Sequence, residues 1–123
     1  MVVVTLTMHA RSEKRRELLQ TLYELLPLLS KEQGCRDVRV YMDAENINHL
    51  ILVEEWDTQQ DVERHMQSNY CDVLRGAMQI LTNSSEIRFS PVSHIAHMEP
   101  ILTGQCQECG NMNACRVPVC PGA

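Results

Sequence analysis

Two groups of residues in this chain have the types and spacing to do chemistry. The first is Trp56, His65, Ser68 and Tyr70, which follow an apolar run from Leu50 to Val53 and the acidic pair Glu54 and Glu55. Histidine ionises near neutrality, so His65 suits taking up a proton or stabilising an anion. Trp56 suits stacking on an aromatic ligand and Tyr70 suits orienting its hydroxyl, although both side chains also serve as plain core filler. His9, at the end of an alternating N-terminal run, is a second candidate base that would share the cavity. If the run is a strand, Glu54 and Glu55 point to opposite faces, and the inward one needs a partner. Arg39, across the neighbouring hairpin, is the candidate.

The second group is Cys106, Cys109, Cys115 and Cys120, which gather four of the chain's six cysteines between Thr103 and Ala123. Cys106-x-x-Cys109 followed by Gly110 has the form of a metal knuckle, and four thiolates complete a tetrahedral zinc site. The second pair is more widely spaced than in a usual zinc ribbon. An iron–sulfur cluster, two disulfides and a thiol relay are the alternatives. Cys35 and Cys71 stand alone and read as small buried apolar residues. Met8, Met42, Met66 and Met78 read as core filler.

Positioning these groups falls to a short series of elements. Val2, Val4, Leu6 and Met8 alternate with Val3, Thr5, Thr7 and His9, which predicts a strand. Ser12 and Glu13 open a helix whose stripe is Leu18, Leu22, Leu25 and Leu29, with Pro27 inside it and Gly34 as its stop. Pro27 removes one backbone donor and predicts a kink or a tightened turn. Val38, Val40 and Met42 mark a second strand, Asp43 to Asn48 a polar turn, and Leu50 to Trp56 a third strand. Asp57 or Thr58 then caps a helix carrying Val62, His65 and Met66. Ser68 and Asn69 break it, and Tyr70, Val73, Leu74, Ala77 and Met78 begin a second piece. Asn83 to Ser85 reads as a loop, and Ile87 and Phe89 as a fourth strand that Pro91 ends.

The order β-α-β-β-α-β predicts an α+β, ferredoxin-like split βαβ fold with a four-stranded antiparallel sheet and helices on one face. Residues 1–97 are expected to form this domain and residues 98–123 a cysteine-rich, candidate metal-binding tail. The third strand is apolar on both faces, which predicts that a second copy covers the open face in a homodimer.

Bulk properties narrow the function classes. At 123 residues the chain has the size of one domain, and its net charge of −5 argues against a nucleic-acid surface. Arg11, Lys14, Arg15 and Arg16 form the one dense basic group, at a helix start, and read as a solvated face. No apolar run approaches the roughly 20 residues of a membrane span. The opening MVVVTLTM has neither a basic leader nor a small-residue cleavage site. A cytoplasmic location is the resulting expectation, and there cysteines point to metal or redox chemistry before disulfides.

Glu54 or Glu55, Trp56, His65, Ser68 and Tyr70, with the Gly34-Cys35 strand start and the Asp43 hairpin, resemble the antibiotic biosynthesis monooxygenase family over about residues 2–95. The resemblance implies a dimeric ferredoxin-like protein with a pocket between sheet and helices in each subunit. It also implies oxidation of a small phenolic or quinol-type molecule by oxygen without metal or flavin, with His65 as base or anion stabiliser and Trp56 and Tyr70 at the substrate; His9 joins them from its place at the end of the first strand, not from the resemblance. The haem-degrading branch is not matched. No asparagine lies between Val2 and His9, His65 stands where that branch has tryptophan, and Arg75 falls about where it has histidine. The alternative function is a non-catalytic dimeric ligand binder whose tail senses metal or redox state. Oxygen consumption separates the two.

Overall fold

A computed structural model of the chain describes residues 1–96 and 98. β1 (Val2–Ala10), a 3-10 turn (Ser12–Lys14) and α1 (Arg15–Leu29) lead into β2 (Cys35–Met42) and β3 (His49–Trp56). α2 (Gln59–Met66), α3 (Asn69–Leu81) and β4 (Thr82–Pro91) follow. The strands form one antiparallel sheet in the order β2-β3-β1-β4, the ferredoxin-like α+β fold expected from the element order. All these elements lie within one compact unit, Met1–Ser93. The four tail cysteines, and with them the expected metal site, lie outside the described residues.

Strand parity decides what each strand contributes. Val2, Val4 and Met8 of β1 and Leu50, Leu52, Glu54 and Trp56 of β3 are all buried. They point to the helical side, because alternate residues of a strand share a face. Leu18, Leu22, Leu25 and Leu29 of α1 close over them with Leu74, Ala77 and Leu81 of α3. Burying each such leucine contributes about 1.5–3 kcal/mol, so the α1 stripe alone is comparable with the net stability of a small domain. A smaller cluster of Val2, Val4, Trp56 and Val62 fixes α2 over the end of β3.

The opposite face carries Thr5, Val53 and Arg39 in one cross-strand row and Thr7, Ile51 and Tyr41 in the next. Two expectations are corrected here. His9 has the parity of Thr5 and Thr7, so it cannot share a cavity on the helical side; it is exposed and stacks on His49 at 4.4 Å. Arg39 lies on this face as well and pairs with Asp37 at 2.8 Å, so it is not the partner of Glu54.

The connections explain where the site can form. α1 runs through Pro27 to Leu29, where Ser30 N–H donates to Leu26 O and its hydroxyl to Pro27 O. A turn then ends at Gly34, whose φ of +85° suits a residue without a side chain. A Cβ there would sit 2.1 Å from Asp61 Cγ, so glycine is required for α2 to approach. Thr58 is the cap of α2: its hydroxyl accepts from Asp61 N–H at 3.1 Å and donates to Asp61 Oδ2 at 2.8 Å. Ser68 caps α3 by accepting from Cys71 N–H at 3.2 Å, which is why the helical segment breaks in two.

Asn83 to Ser85 is strand, not loop. β1 extends far enough to pair His9 with Ser84 and Met8 with Ser85, and these ladder bonds outweigh weak local strand preference. β4 is an edge strand, so Pro91 at its end interrupts no central ladder.

Candidate active site

Glu54 is the charged residue in an otherwise apolar inward row, Leu50-Leu52-Glu54-Trp56. Its carboxylate is buried, 3 % exposed, and accepts a 3.0 Å hydrogen bond from Trp56 Nε1–H. From above, α2 lowers His65, whose Nε2 lies 3.4 Å from the same Glu54 oxygen. The other ring nitrogen, Nδ1, lies 2.5 Å from Glu32 Oε1, in the turn between α1 and β2. Trp56 stacks on the His65 ring with centroids 4.6 Å apart and planes 29° from parallel. The indole therefore holds the imidazole from its face and the carboxylate from its edge.

A carboxylate at each ring nitrogen gives the charged imidazolium an acceptor for both of its N–H groups, which the neutral ring cannot use. Burial opposes that charge. Glu54, by hydrogen bond and charge, and then Glu32 outweigh the burial and hold the His65 pKa above its usual 6.5. Burial, reinforced by the negative charge of Glu54, pushes the Cys35 thiol up to about 11. Burial also raises the Cys71 thiol. Both thiols are thus neutral packing groups at ordinary pH.

A cavity of about 330 Å³ opens above Glu54 and His65, between the sheet and the α2–α3 pair. Val4, Leu6 and Ile87 line it from the sheet, and Met66, Leu74 and Met78 from the helices. Polar groups are few: Glu54 and His65 at its base, and exposed Arg75, Gln79 and Ser85 towards solvent. Arg75 is braced by Asp72 at 2.6 Å and by Met66 O at 2.7 Å. An apolar chamber with one buried ionisable pair is suited to a small aromatic or aliphatic molecule that presents a single acidic hydroxyl.

The sequence-based candidates divide clearly. His65 lines the cavity. Trp56 is fully buried and does not line it; it acts on the site through Glu54 and His65. Tyr70 packs against the main core and is likewise absent from the lining. His9 is on the far face. Of the methionines read as filler, Met66 and Met78 are cavity wall and Met42 is half exposed. Glu54 and Glu32 complete the site beside His65; the sequence signal for Glu54 is a carboxylate in a buried stripe, and Glu32 has none.

Among the described residues no cluster of three or more His, Cys, Asp or Glu side chains has metal-binding geometry, and no helix is long and apolar enough to cross a membrane.

Comparison with known proteins gives the class of fold first. A conserved protein of Methanosarcina mazei Go1 aligns with a TM-score of 0.68 and 25 % identity, over 72 % of this chain and 88 % of its own. A Deinococcus radiodurans protein described as an antibiotic biosynthesis monooxygenase aligns with a TM-score of 0.71 and 21 % identity, over 81 % and 100 %. A Mycobacterium tuberculosis protein aligns with a TM-score of 0.70 and 21 % identity, over 77 % and 98 %. No curated protein sequence matches the chain. Residues 1–75, which span β1 to the middle of α3 and include Glu32, Glu54, Trp56 and His65, match the antibiotic biosynthesis monooxygenase profile. The chain belongs to the antibiotic biosynthesis monooxygenase family.

Proposed function

We propose that this protein is a monooxygenase that uses molecular oxygen to oxidise a small phenolic or quinol-type substrate bound over Glu54 and His65. The observation that carries the proposal is the buried, paired Glu54–His65 couple at the base of an apolar cavity. A desolvated couple of this kind takes a proton readily from an acidic hydroxyl and holds the resulting anion beside an imidazolium.

The substrate supplies the electrons. Its hydroxyl gives a proton to the Glu54–His65 couple, and the electron-rich anion reduces oxygen and joins it at carbon as a peroxide. The couple returns the proton to the outer peroxide oxygen. The O–O bond then breaks, the C–H proton and that oxygen leave as water, and the carbon becomes a carbonyl. One oxygen atom enters the product and the other enters water, so the hydrogens and electrons balance without a further reductant. The apolar walls around Leu74 and Met78 keep bulk water from the anion.

Oxygen uptake with a panel of quinols and anthrones tests the proposal. His65→Ala should lower the rate by roughly 100-fold or more relative to wild type. Equal uptake by both proteins, or none by either across the panel, would contradict it and favour a ligand-binding role.

Pairing of two sheets through the Val53–Ile51 face in a homodimer belongs to the same proposal, since that face leaves aliphatic side chains half covered. Sedimentation at micromolar concentration decides it: a monomer there would remove it. Zinc at Cys106, Cys109, Cys115 and Cys120 is a separate proposal that rests on spacing alone. Equal metal content after changing all four to serine would rule it out.

A further inference from the structure

We propose that Glu32 is a positioning residue for the proton chemistry of His65: it holds Nδ1–H, so that Nε2 is the nitrogen that trades a proton with Glu54 in the cavity. The proposal deepens the oxygenase function and rests on it for its catalytic meaning, though its geometry stands alone.

The placement of Glu32 is not needed for the turn that carries it. Backbone bonds build that turn, from Glu32 N–H to Leu29 O at 3.1 Å and from Cys35 N–H to Glu32 O at 3.1 Å. The side chain is left free, and it reaches 33 positions along the sequence to meet His65 at 2.5 Å. The two sides of the imidazole also differ. Nε2 and Glu54 belong to the large apolar cavity, whereas Glu32 borders a second hollow of about 130 Å³ on the other side of the ring, with Gln33 and Arg64. The Glu32 side chain is 16 % exposed against 2 % for His65, so it keeps contact with water while the ring does not.

The remaining ionisable groups around the ring are otherwise engaged. On α2, Asp61 is held by Arg64 and by the Thr58 hydroxyl, each at 2.8 Å. Cys71 of α3 and Cys35 of β2 carry thiols raised by burial. Glu54 of β3 already receives the indole N–H. Glu32 lies nearer the ring, 2.5 Å from Nδ1 against 3.4 Å between Glu54 and Nε2, and so is the carboxylate placed to fix the tautomer. With Nδ1 occupied by its proton, the neutral ring presents a bare Nε2 to Glu54. A proton from the substrate hydroxyl then reaches Nε2 by way of Glu54, the imidazolium is stabilised from both ends, and the same proton later returns to the peroxide.

The test is nitrogen-15 NMR of the His65 ring in full-length wild type, Glu32→Gln and Glu32→Asp, titrated with pH. In wild type the neutral ring should be the Nδ1–H tautomer and titrate above 6.5. Glu32→Gln should lower that titration and mix the tautomers. Glu32→Asp, charged but shorter, should fall between the two. An unchanged titration and tautomer in Glu32→Gln would overturn the proposal; if that variant fails to fold, an unchanged Glu32→Asp titration does so. The measurement needs no substrate. A shifted titration without oxygen uptake by wild type would refute the oxygenase alone, and uptake with an unchanged titration would refute the positioning role alone.

Discussion

Glu54→Gln should lower oxygen uptake by roughly 10²–10⁴-fold while leaving the protein folded. The substitution keeps the side chain's shape, and its amide oxygen can still accept the Trp56 N–H now received at 3.0 Å. Removing one member of a buried ion pair ordinarily costs about 3–5 kcal/mol, because the other charge is stranded. Here Glu32 remains at 2.5 Å from Nδ1, so the imidazolium keeps a partner and the stability loss should be well below that range. Loss of rate with little loss of stability distinguishes a reacting carboxylate from a structural one. Uptake in an air-saturated cell, measured beside urea unfolding of the same preparation, gives both quantities. Wild-type rates in Glu54→Gln would remove the carboxylate from the chemistry.

Trp56→Ala should be the most destabilising single change at this site, by about 3–5 kcal/mol. The indole is fully buried against Val2, Val4 and Val62, and α2 depends on that small cluster for its attachment to the sheet. Against a typical net stability of about 5–15 kcal/mol, such a loss leaves the fold marginal. Trp56→Phe separates packing from hydrogen bonding. It keeps an aromatic ring against His65 but strips Glu54 of its indole donor, so it should retain most of the stability and lose much of the activity. Urea midpoints that rank wild type, Phe and Ala in that order agree with this; a midpoint for Ala close to wild type would show that the cluster is not what holds α2.

The fold was legible because its patterns are local. Strand parity in Val2–Met8 and Leu50–Trp56, the Leu18-Leu22-Leu25-Leu29 stripe, a cap at Asp57 or Thr58 and the break at Ser68 and Asn69 each act within a few positions of sequence. β4 was harder, since Asn83 to Ser85 have no strand character of their own and are strand only because β1 lies beside them. In the site, His65 could be singled out from its type and its place beside an apolar stripe. Glu54 could also have been singled out, because the same parity that buries Leu50 and Leu52 must bury it.

Parity also excludes His9, which the even-numbered inward row of β1 places on the other face. Tyr70 shows the opposite limit. Its spacing from Ser68 fits the family pattern, but side-chain direction at a helix start depends on packing that sequence alone does not carry. Glu32 had no local signal: it is one acid in a polar turn, and its role comes from a contact across 33 positions.

The central claim is that the substrate's hydroxyl meets the Glu54–His65 couple inside the α2–α3 cavity. A crystal structure of the protein with 2-naphthol, a phenol small enough for the chamber, tests it most directly. The expected result is a naphthol ring among Leu74, Met78 and Ile87, with its oxygen about 2.6–3.2 Å from the Glu54 carboxylate. Naphthol bound with its oxygen turned to Arg75 and Gln79, or bound outside this cavity, would contradict the claim.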